Sequence, residues 1–220
     1  MGSRFAMRDS EYVPFSRAAA PREAPAPPAV AEARPLSLPL NSRSTVLTAA
    51  QRLIGHKQVV INGVRYGDDC TGLVRGVFAQ LHLDLMKEAK FEDNGVTAIW
   101  RFAASHGRLY DGGRPVAGDL VFFKDTYDLN KDGRDNDGLT HVGLVESVDE
   151  AGTVVVIHRV AKGIVRYKMN LALKDRAVGP DGKLVNDYLR VAGPKGKPLL
   201  TSELFAGYAT ILPLEPVASR

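Results

Sequence analysis

Asp69-Cys70-Thr71-Gly72-Leu73-Val74 is the stretch on which the interpretation of this 220-residue chain depends, because it contains the only cysteine. After the cysteine, apolar residues recur at positions 74, 77, 78 and 81, which is the spacing of an amphipathic helix. The pattern predicts a helix that Asp68 or Asp69 caps, with Cys70 in its first turn. Backbone N–H groups and the positive end of the helix dipole favour a thiolate there.

A lone cysteine cannot form an internal disulfide, and it is too few for a metal site built of thiolates. Two interpretations of Cys70 remain. Free cysteine is among the most buried residue types, and a buried one is commonly an inert part of the core. The other interpretation is a reactive nucleophile, which requires a nearby base.

Two histidines lie on adjacent predicted strands and are the candidates for that base. Thr140–Glu146 and Thr153–Val160 are rich in β-branched residues, and Val148–Gly152 between them is typical of a hairpin turn. His141 is near the start of the first strand and His158 near the end of the second, and these ends are neighbours in an antiparallel hairpin. If both imidazoles face the same side, they have the geometry of a base and the residue that orients it.

Other segments complete the predicted sheet and helices. Gly118–Phe123, Ile164–Leu171 and 207–212 are expected to be strands, and helices are expected over about 44–54 and before Gly107. His56, His82 and His106 are expected to be structural residues at helix C-termini, where a cation interacts well with the dipole.

Four short motifs in this order resemble the motif set of the NlpC-type cell-wall cysteine peptidases and the related CHAP amidase/endopeptidase domains. They are Asp-Cys-Thr-Gly-Leu-Val (69–74), Val-Ala-Gly-Asp-Leu-Val-Phe-Phe (116–123), Thr-His-Val-Gly-Leu-Val (140–145) and Val-Ile-His-Arg (156–159). The resemblance covers about residues 44–212. It implies an α+β fold with a papain-like core, in which N-terminal helices, among them the nucleophile helix, pack on a mostly antiparallel sheet.

The resemblance also implies roles for individual residues. Cys70 would be the nucleophile, His141 the general base and His158 the polar residue that orients His141. Asp69 would shape the turn before the helix. A tyrosine upstream of the cysteine often assists in the family, and Tyr66 is the nearby candidate, although it is closer to Cys70 than the usual pattern and plain packing is the alternative.

The expected function is therefore a thiol-dependent hydrolase that cleaves peptide or amide bonds of bacterial peptidoglycan through a thioester, with no required cofactor. Endopeptidase, amidase and acyltransferase activities stay open. So does a non-catalytic module that binds the cell wall or calcium on the same fold. Cysteine and histidine are also zinc ligands, so a zinc site made by Cys70, His141 and His158 is a further alternative.

The loop 124–138, between the second motif and His141, contains part of a calcium-binding pattern. Asp128, Asn130 and Asp132 provide oxygen side chains at positions 1, 3 and 5, followed by Gly133. Leu139 stands where the pattern has its bidentate glutamate. Two other carboxylates, on Asp135 and Asp137, are candidates to complete a reduced, structural Ca²⁺ site, and a polar turn is the alternative.

Composition divides the chain into parts and limits its partners. The Pro- and Ala-rich residues 1–42 are predicted to be a disordered arm or linker, 43–214 the catalytic domain and 215–220 a tail. Lys and Arg (29) slightly exceed Asp and Glu (25), which suits an anionic polymer such as the cell wall. No basic run or aromatic platform indicates nucleic acid, and no apolar run is long enough to span a membrane. We expect a monomer.

Localisation is less directly readable. A wall hydrolase acts in the cell envelope or outside the cell, yet residues 1–42 show no apolar segment typical of a secretory signal. The Pro/Ala-rich stretch is similar to the segments that follow a removed signal or tether a catalytic domain. We therefore expect an envelope or secreted location on grounds of function alone.

Overall fold

The computed structural model describes residues 36–191 and 196–214, which all belong to one compact unit, Ala31–Arg220. Most of the predicted arm and the predicted tail lie outside the described residues. At the end of the predicted arm, Leu36 and Leu38 pack against the core, and the first helix begins at Ser42. In the described part of the chain, the helices are too short or too polar to cross a membrane.

Three helices precede the main sheet: α1 (Ser42–Arg52), α2 (Cys70–Ala79) and α3 (Gly95–His106). Helix α2 begins where the sequence predicts, because the Asp69 side chain caps it by accepting a hydrogen bond from the backbone N–H of Gly72. Its predicted apolar face is buried at Val74, Val77 and Phe78. The helix ends at Ala79, before the fourth predicted position at 81, which is half-buried.

The main sheet is antiparallel throughout and has six strands. In chain order these are β3 (Arg108–Tyr110), β4 (Leu120–Lys124), β5 (Leu139–Val148), β6 (Val154–Val160), β7 (Gly163–Met169) and β10 (Phe205–Thr210), and their order in space is β3-β10-β4-β5-β6-β7. Two small pairs flank it: β1 (Val60–Ile61) with β2 (Val64–Arg65), and β8 (Tyr188–Arg190) with β9 (Leu199–Leu200). A short 3₁₀ helix covers Leu171–Leu173. The predicted α+β fold, with the helix that begins at Cys70 and a papain-like, mostly antiparallel sheet, is confirmed.

Strand alternation gives the sheet two buried faces. One face packs against the helices through Phe122, Val142, Leu144 and Ile157. The other face is covered by C-terminal segments and contributes Val121, Phe123, Val145, Val154, Val156 and Met169. His141 and His158 have the same parity as this second set, so both lie on the face that points away from the α2 core.

A buried ion pair joins the first helix to the start of β4. Arg43 on α1 donates from Nη1 to Oδ1 of Asp119 at 2.9 Å, and both side chains are almost fully buried. The same guanidinium donates to the carbonyls of Ala117, Leu212 and Pro213 and to the Thr210 hydroxyl. Asp119 also accepts from the hydroxyl of Tyr110. We call Arg43, Asp119 and Tyr110 the arginine cluster.

Candidate active site

The two histidines meet across the β5–β6 hairpin. Leu144 is paired with Ile157 in this hairpin, so continuing the register places Gly143 opposite His158 and His141 two residues away on the same face. The ring nitrogens approach directly: Nε2 of His141 is 2.9 Å from Nδ1 of His158, a hydrogen-bond distance. His158 is fully buried, and His141 keeps 8% of its surface exposed. The predicted contact between the two imidazoles is present.

Gly143, the residue opposite His158 on β5, must lack a side chain. A Cβ placed on Gly143 would lie 2.5 Å from Cγ1 of Val156 and 3.2 Å from Cβ of His158. Val156 is fully buried and its branched side chain is stiff, so it cannot move aside easily. Gly143 therefore leaves the space in which His158 packs beside β5.

Cys70 is the first residue of α2, and it lines a cleft of about 700 Å³ that His141 also lines. The backbone of Val142, Thr71 and Cys70 itself is near the thiol and favours its charged form. Val142 directly follows His141, so the start of α2 and the strand of His141 meet at this point. We call this space the cleft.

Burial raises the pKa of the Cys70 thiol to about 11; the Val142 backbone hydrogen bond opposes this shift and the charge of Asp69 adds to it. Burial also lowers the pKa of His141 to about 4, against a smaller opposing effect of Asp69. A neutral thiol and a neutral imidazole are thus the favoured forms near neutral pH. The sequence favours a thiolate because Cys70 starts a helix, but that local argument omits the burial that distant parts of the chain impose.

Asp69 and Gly72 fix the backbone around Cys70. Oδ1 of Asp69 accepts from the N–H of Gly72 at 2.7 Å and from the hydroxyl of Thr71 at 2.8 Å. A Cβ on Gly72 would lie 1.8 Å from the carbonyl oxygen of Gly67, so only glycine lets the preceding loop cross the first helical turn. Asp69 is therefore placed to shape the turn, as the resemblance implies.

Tyr66 does not line the cleft. Its ring packs on the far part of α2, where it would be 3.0 Å from a Cβ on Gly76, and it belongs to the half-buried rim of the core. The tyrosine that does line the cleft is Tyr127, in the loop after β4. Burial raises the pKa of the Tyr127 phenol, and the nearby charges of Cys70, Asp137 and Asp69 act in the same direction.

Two further polar residues that line the cleft, Asn94 and Arg159, are not predicted as site residues from the sequence. Oδ1 of Asn94 caps α3, and its Nδ2 donates at 2.9 Å to the carbonyl of Leu139, two residues before His141. An asparagine before an apolar helical stretch is a cap signal, but its contact with β5 spans 45 residues. Arg159 donates from Nε to the Lys57 carbonyl at 3.0 Å.

The loop 124–138 folds back on its own carboxylates. Asp128 accepts from the N–H groups of Asp132 and Gly133, and Asp137 accepts from the N–H of Asn130 at 3.1 Å. The second oxygen of Asp137, Oδ2, is buried and has no hydrogen-bond partner among the described residues.

The fifth predicted ligand of this loop points elsewhere. Asp135 pairs with Arg190 at 2.6 Å and so is engaged outside the loop. Within 36–191 and 196–214, no group of three or more His, Cys, Asp or Glu side chains is placed to hold a metal ion.

The distance between the two histidines can be compared with what a zinc ion held by Cys70, His141 and His158 would require. The nitrogens of the two histidines that face each other are 2.9 Å apart, with room for one shared proton. Two nitrogens in a hydrogen bond to each other do not bind one ion at the same time. In this arrangement the histidines are paired with each other.

The family model of the CHAP domain matches residues 59–159, a span that contains Cys70, His141 and His158. The comparison with curated proteins gives no match. CHAP domains in general are peptidoglycan hydrolases or amidases, and this general function is what the match indicates. The chain thus carries a CHAP domain match over residues 59–159, which confirms the predicted resemblance to CHAP-like cell-wall peptidases.

Proposed function

We propose that this protein is a thiol-dependent hydrolase of peptide or amide bonds in bacterial peptidoglycan, with Cys70 as nucleophile, His141 as general base and His158 as its orienting residue. The observation that carries the proposal is the 2.9 Å contact between His141 Nε2 and His158 Nδ1, with His141 in the same cleft as Cys70. A nucleophile, a base and a third group that orients the base are the recurring parts of covalent hydrolysis.

Because burial favours the neutral thiol and the neutral imidazole, we propose that proton transfer accompanies the attack. With Nε2 bound to His158, Nδ1 of His141 is the nitrogen left to accept the thiol proton as sulfur bonds to the scissile carbonyl carbon. The backbone N–H groups at the start of α2, including that of Cys70, would hold the oxyanion. The C–N bond then breaks, and His141 returns the proton to the leaving amine. Water, deprotonated by His141, hydrolyses the thioester and restores the thiol.

The experiment is digestion of purified peptidoglycan sacculi, with release of new amino groups as the readout. We expect activity for the wild type, none for Cys70→Ala and a loss of about 10² to 10⁴-fold for His141→Ala, the usual contribution of a general base. His56→Ala, an exposed histidine outside the cleft, is the matched control and should retain activity. Equal digestion by all four proteins would sink the assignment.

One observation favours a second candidate, a non-catalytic module that binds the cell wall. Cys70 is only 9% exposed and its pKa is raised, as for a structural cysteine. Slow alkylation of Cys70 at neutral pH fits either candidate, since a neutral thiol beside a neutral base also reacts slowly. The two separate in the sacculus assay: a module binds and sediments with sacculi while releasing nothing, and Cys70→Ala leaves its binding unchanged.

The finer assignment of substrate also belongs to this proposal. Endopeptidase and amidase activity differ in the bond cleaved, and an acyltransferase replaces water by an amine. Mass spectrometry of the released fragments separates them, because an amidase frees whole stem peptides from the glycan and a transferase yields a new amide. A substrate in the wall implies action in the cell envelope or outside the cell.

We also propose that the loop 124–138 binds a structural Ca²⁺ ion through Asp128, Asn130, Asp132 and Asp137. The support is the type of oxygen side chains in the loop, which Ca²⁺ prefers, and the buried Asp137 Oδ2 that lacks a partner in the described structure. The carboxylates are not gathered around one point in the described residues, so binding would have to draw them together. A calcium chelator should then lower the thermal midpoint, and added Ca²⁺ but not Mg²⁺ should restore it. Asp128→Asn should remove the response, whereas Asp111→Asn, an exposed site outside the loop, should keep it. An unchanged midpoint in chelator would remove the ion from the proposal.

A further inference from the structure

The second ring nitrogen of His158 has no conventional partner. Nε2 is buried and makes no hydrogen bond among the described residues, although the other nitrogen, Nδ1, contacts His141. A buried polar atom without a partner is costly, so the position calls for a physical explanation. An aromatic ring lies beside the His158 imidazole.

Two proton arrangements are open to the neutral pair, and only one suits catalysis. If His141 donates Nε2–H to His158, then His141 keeps a bare Nδ1 that can accept the thiol proton, and His158 carries its own proton on the buried Nε2. If His158 donates Nδ1–H instead, His141 must carry its proton on Nδ1 and cannot act as a base there. Whatever surrounds Nε2 of His158 therefore decides whether His141 can act as a base.

The ring of Tyr167 is the neighbour of His158 on the adjacent strand. His158 pairs with Val165 and Val156 with Tyr167, so His158 and Tyr167 are diagonal neighbours on one face of the β6–β7 ladder. Their ring centroids are 4.5 Å apart and the planes stand at 70°, an edge-to-face arrangement. The Lys162 ammonium also lies 4.8 Å from the Tyr167 centroid.

We propose that Tyr167 is a positioning residue whose ring accepts the Nε2–H of His158 and thereby selects the tautomer in which Nδ1 of His141 is free to act as a base. The face of an aromatic ring is electron-rich, so it attracts an N–H and repels a nitrogen lone pair. The tautomer choice is argued from this edge-to-face contact and the unpartnered Nε2 of the described structure, and its catalytic consequence rests on the proposed function.

The first test is nitrogen NMR on the full chain with ¹⁵N-labelled histidine near neutral pH. In the wild type we expect a protonated Nε2 on His158 and an unprotonated Nδ1 on His141. Tyr167→Phe keeps the ring and should keep this pattern, whereas Tyr167→Leu should shift both histidines toward the other tautomer. A wild-type spectrum with the proton on Nδ1 of His158 overturns the proposal without any variant, as does an unchanged pattern in Tyr167→Leu.

Two controls separate the ring from its surroundings. Lys162→Gln removes the cation and should leave the tautomer as in the wild type; loss of the pattern there would contradict the ring as acceptor. Tyr188→Leu changes an exposed tyrosine on β8 and should also leave it unchanged. Should Tyr167→Leu fail to fold, Tyr167→Met provides a second non-aromatic side chain.

Hydrolysis of sacculi then tests the catalytic consequence. Tyr167→Leu should lower kcat about tenfold with little change in KM, a fraction of what the whole general base contributes, and Tyr167→Phe should restore it. A tautomer shift with no hydrolysis by any variant would support the positioning and reject the proposed function. A tautomer shift with unchanged kcat would reject the catalytic consequence alone.

Discussion

The arginine cluster and the histidine pair are both buried polar groups in contact with the main sheet, yet they are built in opposite ways. Arg43 is charged and makes five hydrogen bonds, to Asp119, the Thr210 hydroxyl and three backbone carbonyls. Burial favours the neutral forms of His141 and His158, which share one hydrogen bond and leave one nitrogen without a conventional partner among the described residues.

The difference separates a structural from a functional use of buried polarity. In a fully satisfied network every donor and acceptor is already bonded, so none is available to a substrate. Removing one member leaves an unpaired group in the core. A pair with spare proton capacity is less useful for stability, but it can accept a proton during a reaction. We therefore expect changes in the arginine cluster to affect unfolding and changes in the histidine pair to affect chemistry.

The largest effect is expected for Arg43→Met. It leaves the buried carboxylate of Asp119 without its cation, and breaking a buried ion pair in this way costs about 3–5 kcal/mol of unfolding free energy. Urea denaturation measures this loss. The double variant Arg43→Met with Asp119→Asn should recover part of it, because the uncompensated charge is then gone. If the folded single variant lost its hydrolytic rate per molecule, the division between the two clusters would fail.

The second-largest expected effect is the change of the unfolding free energy with pH, which should come from the histidine pair. Burial lowers the pKa of His141 from 6.5 to about 4, so above pH 6.5 the imidazole is neutral in both the folded and the unfolded chain. Below this value the unfolded chain binds a proton that the folded chain does not, and stability falls as pH falls, with the full loss reached below about pH 4. The loss from this group amounts to about 3 kcal/mol.

His158 adds to this loss in the same direction, since burial lowers its pKa well below the ordinary value and the His141 charge contributes. Unfolding free energies near neutral pH and at about pH 5 should therefore differ less in His141→Gln than in the wild type. An identical pH dependence in the two proteins would show that the imidazole is accessible to protons in the folded state.

A smaller effect, on both stability and activity, is expected for Gly143→Ala. The new Cβ would be 2.5 Å from Val156 and close to His158, and overpacking of this kind costs about 1–3 kcal/mol. Because His158 is displaced, the hydrolytic rate should fall as well. Gly112→Ala is the matched control, since nothing lies within 4 Å of its added Cβ. Full activity in Gly143→Ala would mean that the His141–His158 distance is not critical.

The sequence predicts well what repeats locally. The strands near 120, 140, 155 and 165 follow from runs of β-branched residues, and the cap at Asp69 follows from helix patterning. The contact of His141 with His158 is predictable because a tight hairpin fixes which residues are opposite.

Contacts between distant segments could not be predicted in this way. Arg43 reaches Asp119 across 76 residues, and Asp135 pairs with Arg190 instead of remaining in the calcium-like loop. Tyr66 is the tyrosine nearest upstream of Cys70, although closer than the family pattern has it, and its ring contacts a later turn of α2. The direction of the Cys70 pKa shift depends on all the groups that cover the thiol, so a local sequence pattern cannot predict this direction.

The arginine cluster has a consequence for where a linker or a surface anchor can be attached to the domain. Arg43, in the first turn of α1, donates to the carbonyls of Leu212 and Pro213, so the two ends of the described fold lie side by side. Asp119 is four residues before Phe123, the strand partner of His141, which puts the joined ends about 13 Å along the strand from the cleft. A short linker between the two ends, with new termini opened in the exposed turn 149–152, should give a circular permutant that folds and keeps its cleft open. The same placement lets a surface anchor attached at either end hold the domain without covering the site.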